Sequence, residues 1–202
     1  MRIRTDIYLE DVMRLIIAEK PSLGRAIAVG LGSGKEKDGA IYLGSDIVTW
    51  CFGHILEQCS PEDYDEKYKR WCIEDLPILP VVWKTKVKSS AKKQYQLIKK
   101  LVHEADEIVN AGDPDREGQL LVDEVLADLG VLKGNKPIRR ILLNALDEKS
   151  VREALRQLRS NQEFVGLRSS ALARSRADWL IGMNLSRIYT IRAREAGYQN
   201  TV

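Results

Sequence analysis

The sequence predicts an α/β fold in which a mainly parallel sheet is flanked by helices. Two apolar runs, 13–18 and 107–111, have the length and composition of buried strands. Each run leads through a charged turn into a helical pattern, and a third run at 138–142 does the same. Strands that alternate with helices imply crossover connections between parallel neighbours.

The predicted elements follow one another with recognisable start and stop signals. Pro21 suits the first turn of a helix that runs to about 30, and Gly44-Ser45-Asp46 suits the turn of a hairpin. Ser89 suits a helix N-cap. The remaining predicted elements are a loop over 30–38, hairpin strands at 41–43 and 47–52, an irregular stretch at 61–86, helices at 89–105, 116–129 and 147–159, and two helices within 163–196.

The segment Gly112-Asp113-Pro114-Asp115-Arg116-Glu117-Gly118 carries the strongest chemical signal. Asp113, Asp115 and Glu117 lie two residues apart, so an extended turn can point all three carboxylates to one side. Carboxylates this close repel one another unless a cation compensates. At the carboxyl end of a parallel strand they are natural ligands for Mg²⁺. The alternative is an acidic N-cap and first helical turn, which the helix dipole also favours.

Glu19 and Lys20 follow the first predicted strand. Because ligands of parallel sheets bind at the carboxyl ends of the strands, both side chains can reach the crevice that contains the acidic segment. Taken alone, Glu19 is more simply a solvated residue at a strand end. The two segments together favour a shared site.

Composition and charge narrow the class of protein. The chain has 202 residues, which bounds it to one domain or one domain plus a part. Three cysteines without zinc-ligand spacing favour a reducing cytoplasm, and the sequence shows neither an apolar membrane span nor a secretory signal. Residues 151–202 contain nine arginines against four acidic residues. That excess favours contact with phosphates over a merely solvated helix face.

Four motifs occur in an order that resembles a known family. They are Ala18-Glu19-Lys20-Pro21-Ser22, the run VTWCFGHILE at 48–57, AGDPDREGQ at 111–119, and ARSRADWLIGMN at 173–184. A glutamate after the first strand with Asp-x-Asp-x-Glu-Gly after a later one resembles the Toprim domain. The full set resembles type IA DNA topoisomerases, specifically the topoisomerase III branch.

The resemblance implies a domain organisation and an activity. A Rossmann-like Toprim catalytic domain would cover 13–158, preceded by an extension or tail at 1–12. The start of an arginine-rich helical DNA-binding domain, truncated, would cover 159–202. Enzymes of this family break one DNA strand, hold its 5′-phosphate on a tyrosine, pass another strand and reseal, with Mg²⁺ and without ATP.

The resemblance also implies a role for each candidate site residue. Asp113, Asp115 and Glu117 would hold Mg²⁺, with Glu19 as a further ligand or as general acid–base at the 3′-oxygen. Lys20 would pair with the scissile phosphate. DNA-binding roles near the site fall to four residues: Arg116, Arg174, Arg176 and Asp178.

One departure limits what the chain is expected to do alone. None of its seven tyrosines matches the family's nucleophile segment, so we interpret the chain as an amino-terminal fragment that binds Mg²⁺ and single-stranded DNA without cleaving it. A helicase is a possible partner of the longer protein, in the bacterial cytoplasm on nucleoid or plasmid DNA. Two alternatives stay open: another Toprim enzyme, such as a nuclease or primase-like protein, and a non-catalytic DNA-binding fragment.

Overall fold

The computed structural model describes residues 12–198, so the predicted extension at 1–12 lies almost wholly outside the described part. A seven-stranded sheet in the order β2-β3-β4-β1-β7-β8-β9 forms the centre. Its strands are β1 (Arg14–Ala18), β2 (Lys35–Lys37), β3 (Ala40–Leu43), β4 (Asp46–Trp50), β7 (Glu107–Ala111), β8 (Ile138–Arg140) and β9 (Arg159–Ser160). The four inner strands are parallel and the outer pairs are antiparallel. The prediction of a mainly parallel α/β sheet is confirmed.

Helices cover both faces of this sheet. They are α1 (Pro21–Leu31), α2 (Lys92–Glu104), α3 (Arg116–Asp128), α4 (Glu148–Arg156) and α5 (Val165–Glu195). Alternate β1 residues point to opposite faces: Leu15 and Ile17 join the core under α2 and α3, and Ile16 joins the core under α1 and α4. The sheet therefore has two hydrophobic layers, as an inner parallel sheet requires.

Several short polar strands differ from the predicted organisation. The predicted loop at 30–38 contains β2, and the predicted helix at 147–159 ends at Arg156 and is followed by β9. The stretch at 61–86 contains three short 3₁₀ turns. Its end forms β6 (Thr85–Val87), which pairs with β5 (Leu56–Gln58) in a small second sheet. Edge strands of this kind form because a neighbour pairs with them, not because their sequences are apolar.

The prediction of two helices within 163–196 is wrong, because α5 is one continuous helix of 31 residues. No proline interrupts it, and its glycines are tolerated in a helix. Buried side chains fasten α5 to the irregular segment before α2. Trp179 donates from its ring nitrogen to the Cys59 carbonyl at 3.0 Å, and Asn184 exchanges two hydrogen bonds with the Ile78 backbone.

Candidate metal and nucleic-acid site

The ends of β1 and β7 lie side by side, which brings the two predicted site segments together. Ala18 pairs with Ala111, so Glu19 and Lys20 emerge next to residues 112–118, the acidic turn. The Asp113 N–H donates to Oε2 of Glu19 at 3.1 Å. The Lys20 ammonium lies 2.8 Å from Oδ2 of Asp113. The structure therefore brings together two segments from separate strand–helix units, and the space between them is called the crevice below.

Two glycines allow the acidic turn to fold tightly onto the first turn of α3. A Cβ on Gly112 would lie 2.0 Å from the Gly118 carbonyl oxygen, and a Cβ on Gly118 would lie 2.4 Å from the Asp113 carbonyl oxygen. Neither position has room for a side chain, because the contacting atoms belong to the backbone. This close approach aims the positive end of α3 at the crevice.

Each acidic side chain of the turn has its own contact in the structure. Asp115 is the N-cap of α3 and accepts from the Gly118 N–H at 2.7 Å, so the capping interpretation holds for this residue. Glu117 lies 3.5 Å from Nε of Arg116 and 3.7 Å from a guanidinium nitrogen of Arg174. The contact between Arg174 and Glu117 links α5 to the turn, and Arg174 also lies 3.7 Å from Asp178 on α5 itself.

The contacts of Glu19, Asp113, Asp115 and Glu117 decide whether these four carboxylates can bind a metal ion as they stand. Within residues 12–198, no three His, Cys, Asp or Glu side chains are gathered closely enough to hold an ion. Asp113 is paired with Lys20, Asp115 caps a helix and Glu117 faces arginines. Hard carboxylate oxygens on adjoining strand ends suit Mg²⁺. The donor set therefore fits the ion, provided that the side chains reorient from their present partners.

Lys20 is the cation that faces the acidic turn most directly. Its hydrogen bond to Asp113 raises the pKa of the Lys20 ammonium above its usual value, with smaller contributions from the charges of Glu19 and Asp115. The side chain is close to half exposed, so the ion pair itself contributes little to stability. Lys20 is thus a charged group whose partner in the structure is Asp113.

A buried polar network lies beneath the acidic turn, and sequence reasoning missed it. Asp123 on α3 accepts from Asn110, Gln119 and Asn161 at 2.8–3.0 Å. Arg140 at the end of β8 is fully buried beside this network and donates to backbone carbonyls of the turn. Adjacent strand residues point to opposite faces, so Arg139-Arg140 in sequence was a signal that one arginine enters the core.

His54, left outside the predicted site, forms a pair with Glu124 of α3 close to the crevice. Its Nδ1 lies 2.8 Å from Oε1 of Glu124. This hydrogen bond raises the pKa of His54, while burial raises the pKa of the Glu124 carboxyl. Gly53, the preceding residue, donates to the Glu19 carbonyl at 3.3 Å. The segment 51–54 therefore forms one wall beside Glu19.

A large cavity lies beside the acidic turn rather than over it. It has a volume of about 1540 Å³ and runs between α3, α5 and the β5–β6 sheet. Arg176 lines it and lies over the Trp83 ring, 5.2 Å from guanidinium carbon to ring centre. The cavity wall thus combines a cation with an aromatic ring. Proteins that bind single-stranded nucleic acids use this combination of side chains. Arg174 and Arg176 point to different features: Arg174 to the turn, Arg176 to the cavity.

Comparisons with known proteins agree with this geometry. The sequence model of the Toprim domain family matches residues 14–146. Curated proteins named DNA topoisomerase 3 from Vibrio cholerae and Salmonella typhimurium are each 53% identical over 94% of this chain, which covers 30% of their length. The protein of that name from Staphylococcus epidermidis is 39% identical over 88% of the chain.

A solved structure supports the fold in the same way. The structure of full-length topoisomerase I from Thermotoga maritima superposes with a TM-score of 0.56 at 19% identity, covering 93% of this chain and 27% of that one. The present chain thus spans less than a third of the length of these curated relatives. The chain belongs to the Toprim domain family.

Proposed function

We propose that this chain is the Toprim-containing part of a type IA DNA topoisomerase of the topoisomerase III branch. The observation that carries the proposal is the hydrogen bond from the Asp113 N–H to Glu19, which joins the two acidic segments at one crevice. The names of the curated relatives and the order of the motifs support it. We propose residues 13–158 as the catalytic Toprim domain and residues from 159 onward as the start of a DNA-binding domain.

The residues of the crevice divide the chemistry of strand breakage and rejoining among them. Glu19 holds or releases a proton at the 3′-oxygen of the broken strand, as a general acid–base. Lys20 leaves Asp113 to contact a non-bridging oxygen of the scissile phosphate as a point charge. Asp113, Asp115 and Glu117 would hold Mg²⁺, with Glu19 as a further ligand only while it carries no proton; the bound ion would neutralise phosphate charge and orient the reacting oxygens.

The DNA strand reaches this crevice along α5. Arg174 lies against Glu117 at the turn, and Arg176 lies over Trp83 in the neighbouring cavity, so a strand that contacts both passes the catalytic groups. Arg116 adds a phosphate contact at the start of α3, and Asp178 orients Arg174. Single-stranded DNA suits such a path, because its exposed bases can stack on aromatic rings.

The covalent step needs a nucleophilic tyrosine, which we propose lies in another part of the longer enzyme. Tyrosines near the cavity already have structural contacts. The Tyr64 hydroxyl accepts from the Lys84 N–H at 3.0 Å, and the Tyr95 hydroxyl donates to Asp128. The chain alone is therefore proposed to bind Mg²⁺ and single-stranded DNA but to form no phosphotyrosine bond.

A plasmid assay with the pure 202-residue chain tests this proposal. With Mg²⁺ present, we expect neither relaxation nor nicking of negatively supercoiled DNA. Robust relaxation would contradict the assignment of the nucleophile elsewhere. Mg²⁺-dependent nicking that is lost in Asp113→Asn would instead favour a Toprim nuclease. DNA binding that ignores chelator and Asp115→Asn, but is lost in Arg174→Ala, would favour a non-catalytic binding fragment.

The cellular setting follows from the same proposal. None of the helices in residues 12–198 is both long and apolar enough to cross a bilayer. We propose that the longer protein acts in the bacterial cytoplasm on nucleoid or plasmid DNA, with a helicase as a possible partner. Decatenation and relaxation would both use the crevice described above.

A further inference from the structure

Arg140 is a fully buried arginine whose hydrogen bonds converge on the backbone of the acidic turn. One terminal nitrogen, Nη1, donates to the Gly112 carbonyl at 2.8 Å and to the Ile141 carbonyl at 3.0 Å. It also lies 3.2 Å from the Asn110 carbonyl. The other terminal nitrogen, Nη2, donates to the Asp113 carbonyl at 2.6 Å. One side chain on β8 therefore holds Asn110 near the end of β7 together with Gly112 and Asp113, the first two residues of the turn.

Burial of the Arg140 charge lowers the stability of the folded state. No carboxylate within residues 12–198 forms a salt bridge with it, and its Nε atom is buried without a partner. A buried cation without an ion pair costs stability, so a purely structural position would be filled better by an apolar residue.

Two of the carbonyls that Arg140 contacts belong to Asp113, the first carboxylate of the turn, and to Gly112 directly before it. A planar guanidinium with a rigid fork of donors can reach several successive carbonyls, which a lysine ammonium cannot do with the same geometry. Asn110 reinforces the arrangement, because its Oδ1 accepts from the Gly112 N–H at 3.0 Å and lies 3.4 Å from Arg140. The backbone of the turn is thereby fixed from below, while its carboxylates stay on the crevice side.

We propose that Arg140 is a positioning residue that orders the acidic turn before any metal binds. The inference rests on the proposed function, since it assigns the turn to Mg²⁺ binding. Arg140 does not touch the ion or the DNA. It acts through the backbone of Gly112 and Asp113, so that binding of the cation does not have to supply the free energy of ordering the turn.

The test compares Arg140→Lys with a matched control, Arg139→Lys, in the 202-residue chain. Both changes keep the positive charge, but Arg139 is the neighbouring strand residue, exposed and paired with Glu107 at 3.1 Å. In metal-free protein, amide hydrogen exchange at 112–118 should become about tenfold faster in Arg140→Lys, since each lost hydrogen bond is worth about that factor. Exchange in β2 and β3 should stay unchanged.

The same two variants are then titrated with Mg²⁺ by calorimetry. Arg140→Lys should raise the Mg²⁺ dissociation constant about tenfold, the usual scale for residues that orient metal ligands. Arg139→Lys should leave it unchanged. Uniformly faster exchange through the whole sheet would overturn the proposal, because Arg140 would then only stabilise the core. Where the wild-type chain binds Mg²⁺, equal Mg²⁺ affinity in the two variants would overturn it as well.

Two further results keep the inference separate from the proposed function. If wild-type chain binds no Mg²⁺, the proposed function fails, yet localised exchange at 112–118 still supports the positioning role. If Arg140→Lys does not fold, nitrogen-15 NMR of the Arg140 side chain in the wild-type protein tests the proposal instead. Slowly exchanging terminal N–H protons with restricted rotation, unchanged by Mg²⁺, would support the proposal. Freely rotating, rapidly exchanging protons would overturn it.

Discussion

The acidic turn and helix α5 hold their charged side chains in different ways. In the turn, the backbone is fixed by close glycine contacts and by a buried arginine, and the side chains remain on the surface. In α5, a regular helix carries the arginines, and packing decides which of them are free. Arg187 is 4% exposed and structural, whereas Arg174 has a side chain that is 58% exposed.

The difference shows where each region tolerates change. The turn depends on backbone geometry, so small additions to it are costly even when charge is kept. The helix depends on individual side chains, so most exposed positions can change without affecting the fold. A site that grips a metal needs the first property, and a surface that follows a flexible DNA strand needs only the second.

The largest expected effect compares a glycine in each region. Gly118→Ala places a Cβ 2.4 Å from the Asp113 carbonyl oxygen, so the turn must shift, at a cost of about 3 kcal/mol in the free energy of unfolding. Gly182→Ala on α5 meets no atom within 4 Å, and the better helix propensity should stabilise by about 0.5–1 kcal/mol. Urea unfolding of both variants measures the difference. Equal effects would remove the contrast between the regions.

Two arginines of α5 should separate stability from DNA binding. Arg187→Ala removes a hydrogen bond to the Tyr68 carbonyl at 2.8 Å and a ring contact with Trp71, so it should destabilise by about 2 kcal/mol. Arg174→Ala should change stability by less than about 0.5 kcal/mol, because the residue is exposed. It should weaken binding of a single-stranded oligonucleotide, measured by fluorescence anisotropy at fixed salt. If both variants bind the oligonucleotide as tightly as the wild type, the DNA does not contact α5 at Arg174.

A comparison of two N-cap aspartates, Asp115 of α3 and Asp147 of α4, should distinguish a role in metal binding from a role in helix capping. Asp115→Asn keeps a good N-cap for α3, so stability should hold, but loss of a carboxylate should raise the Mg²⁺ dissociation constant at least about tenfold. Asp147→Asn is the matched control, because Asp147 caps α4 in the same way, accepting from the Ser150 N–H at 3.0 Å. Calorimetric titration of both variants gives the comparison. The same Mg²⁺ affinity in both would remove Asp115 from the metal site.

The smallest expected effect is the pH dependence contributed by His54. Its folded-state pKa is raised chiefly by the hydrogen bond to Glu124, with Glu117 adding to the rise and Lys88 opposing it. The stability that this pair contributes is therefore complete below about pH 6.5 and is lost as the pH rises through the folded-state pKa. The side chain is 40% exposed and screened, so the loss should stay below about 0.5 kcal/mol.

Thermal unfolding between pH 5.5 and 8 checks this expectation. His54→Gln should flatten the decline in stability across that range. His103→Gln, an exposed histidine near the end of α2, is the control and should leave the profile unchanged. A decline that persists in His54→Gln would assign the pH dependence to other groups.

Sequence alone predicted the inner sheet and the meeting of the two acidic segments. Buried parallel strands have continuous apolar runs, and their carboxyl ends meet at one edge, so β1 and β7 determined where Glu19 and Asp113 lie. The short strands β2 and β9 escaped prediction because pairing, not composition, forms them. Their sequences, Lys35-Glu36-Lys37 and Arg159-Ser160, are polar throughout.

The support beneath the site was harder to predict than the site itself. Arg140 enters the core because Asn110 and the turn offer it carbonyls, which is a property of the folded backbone. The packing of α5 likewise uses contacts with Cys59 and Ile78, which lie far away in sequence. The local sequence pattern thus indicated the residues that face the crevice. The residues that support them, such as Arg140, depend on tertiary contacts that the local pattern does not contain.

The most direct test of the account is anomalous diffraction from crystals of the chain soaked in Mn²⁺ as a substitute for Mg²⁺. The account predicts one strong peak in the crevice between the ends of β1 and β7, with carboxylate oxygens from Asp113 and Asp115 as ligands and Glu19 alongside. It also predicts that the backbone of 112–118 stays in place when the ion binds. A peak outside this crevice, or a turn that refolds around the ion, would contradict it.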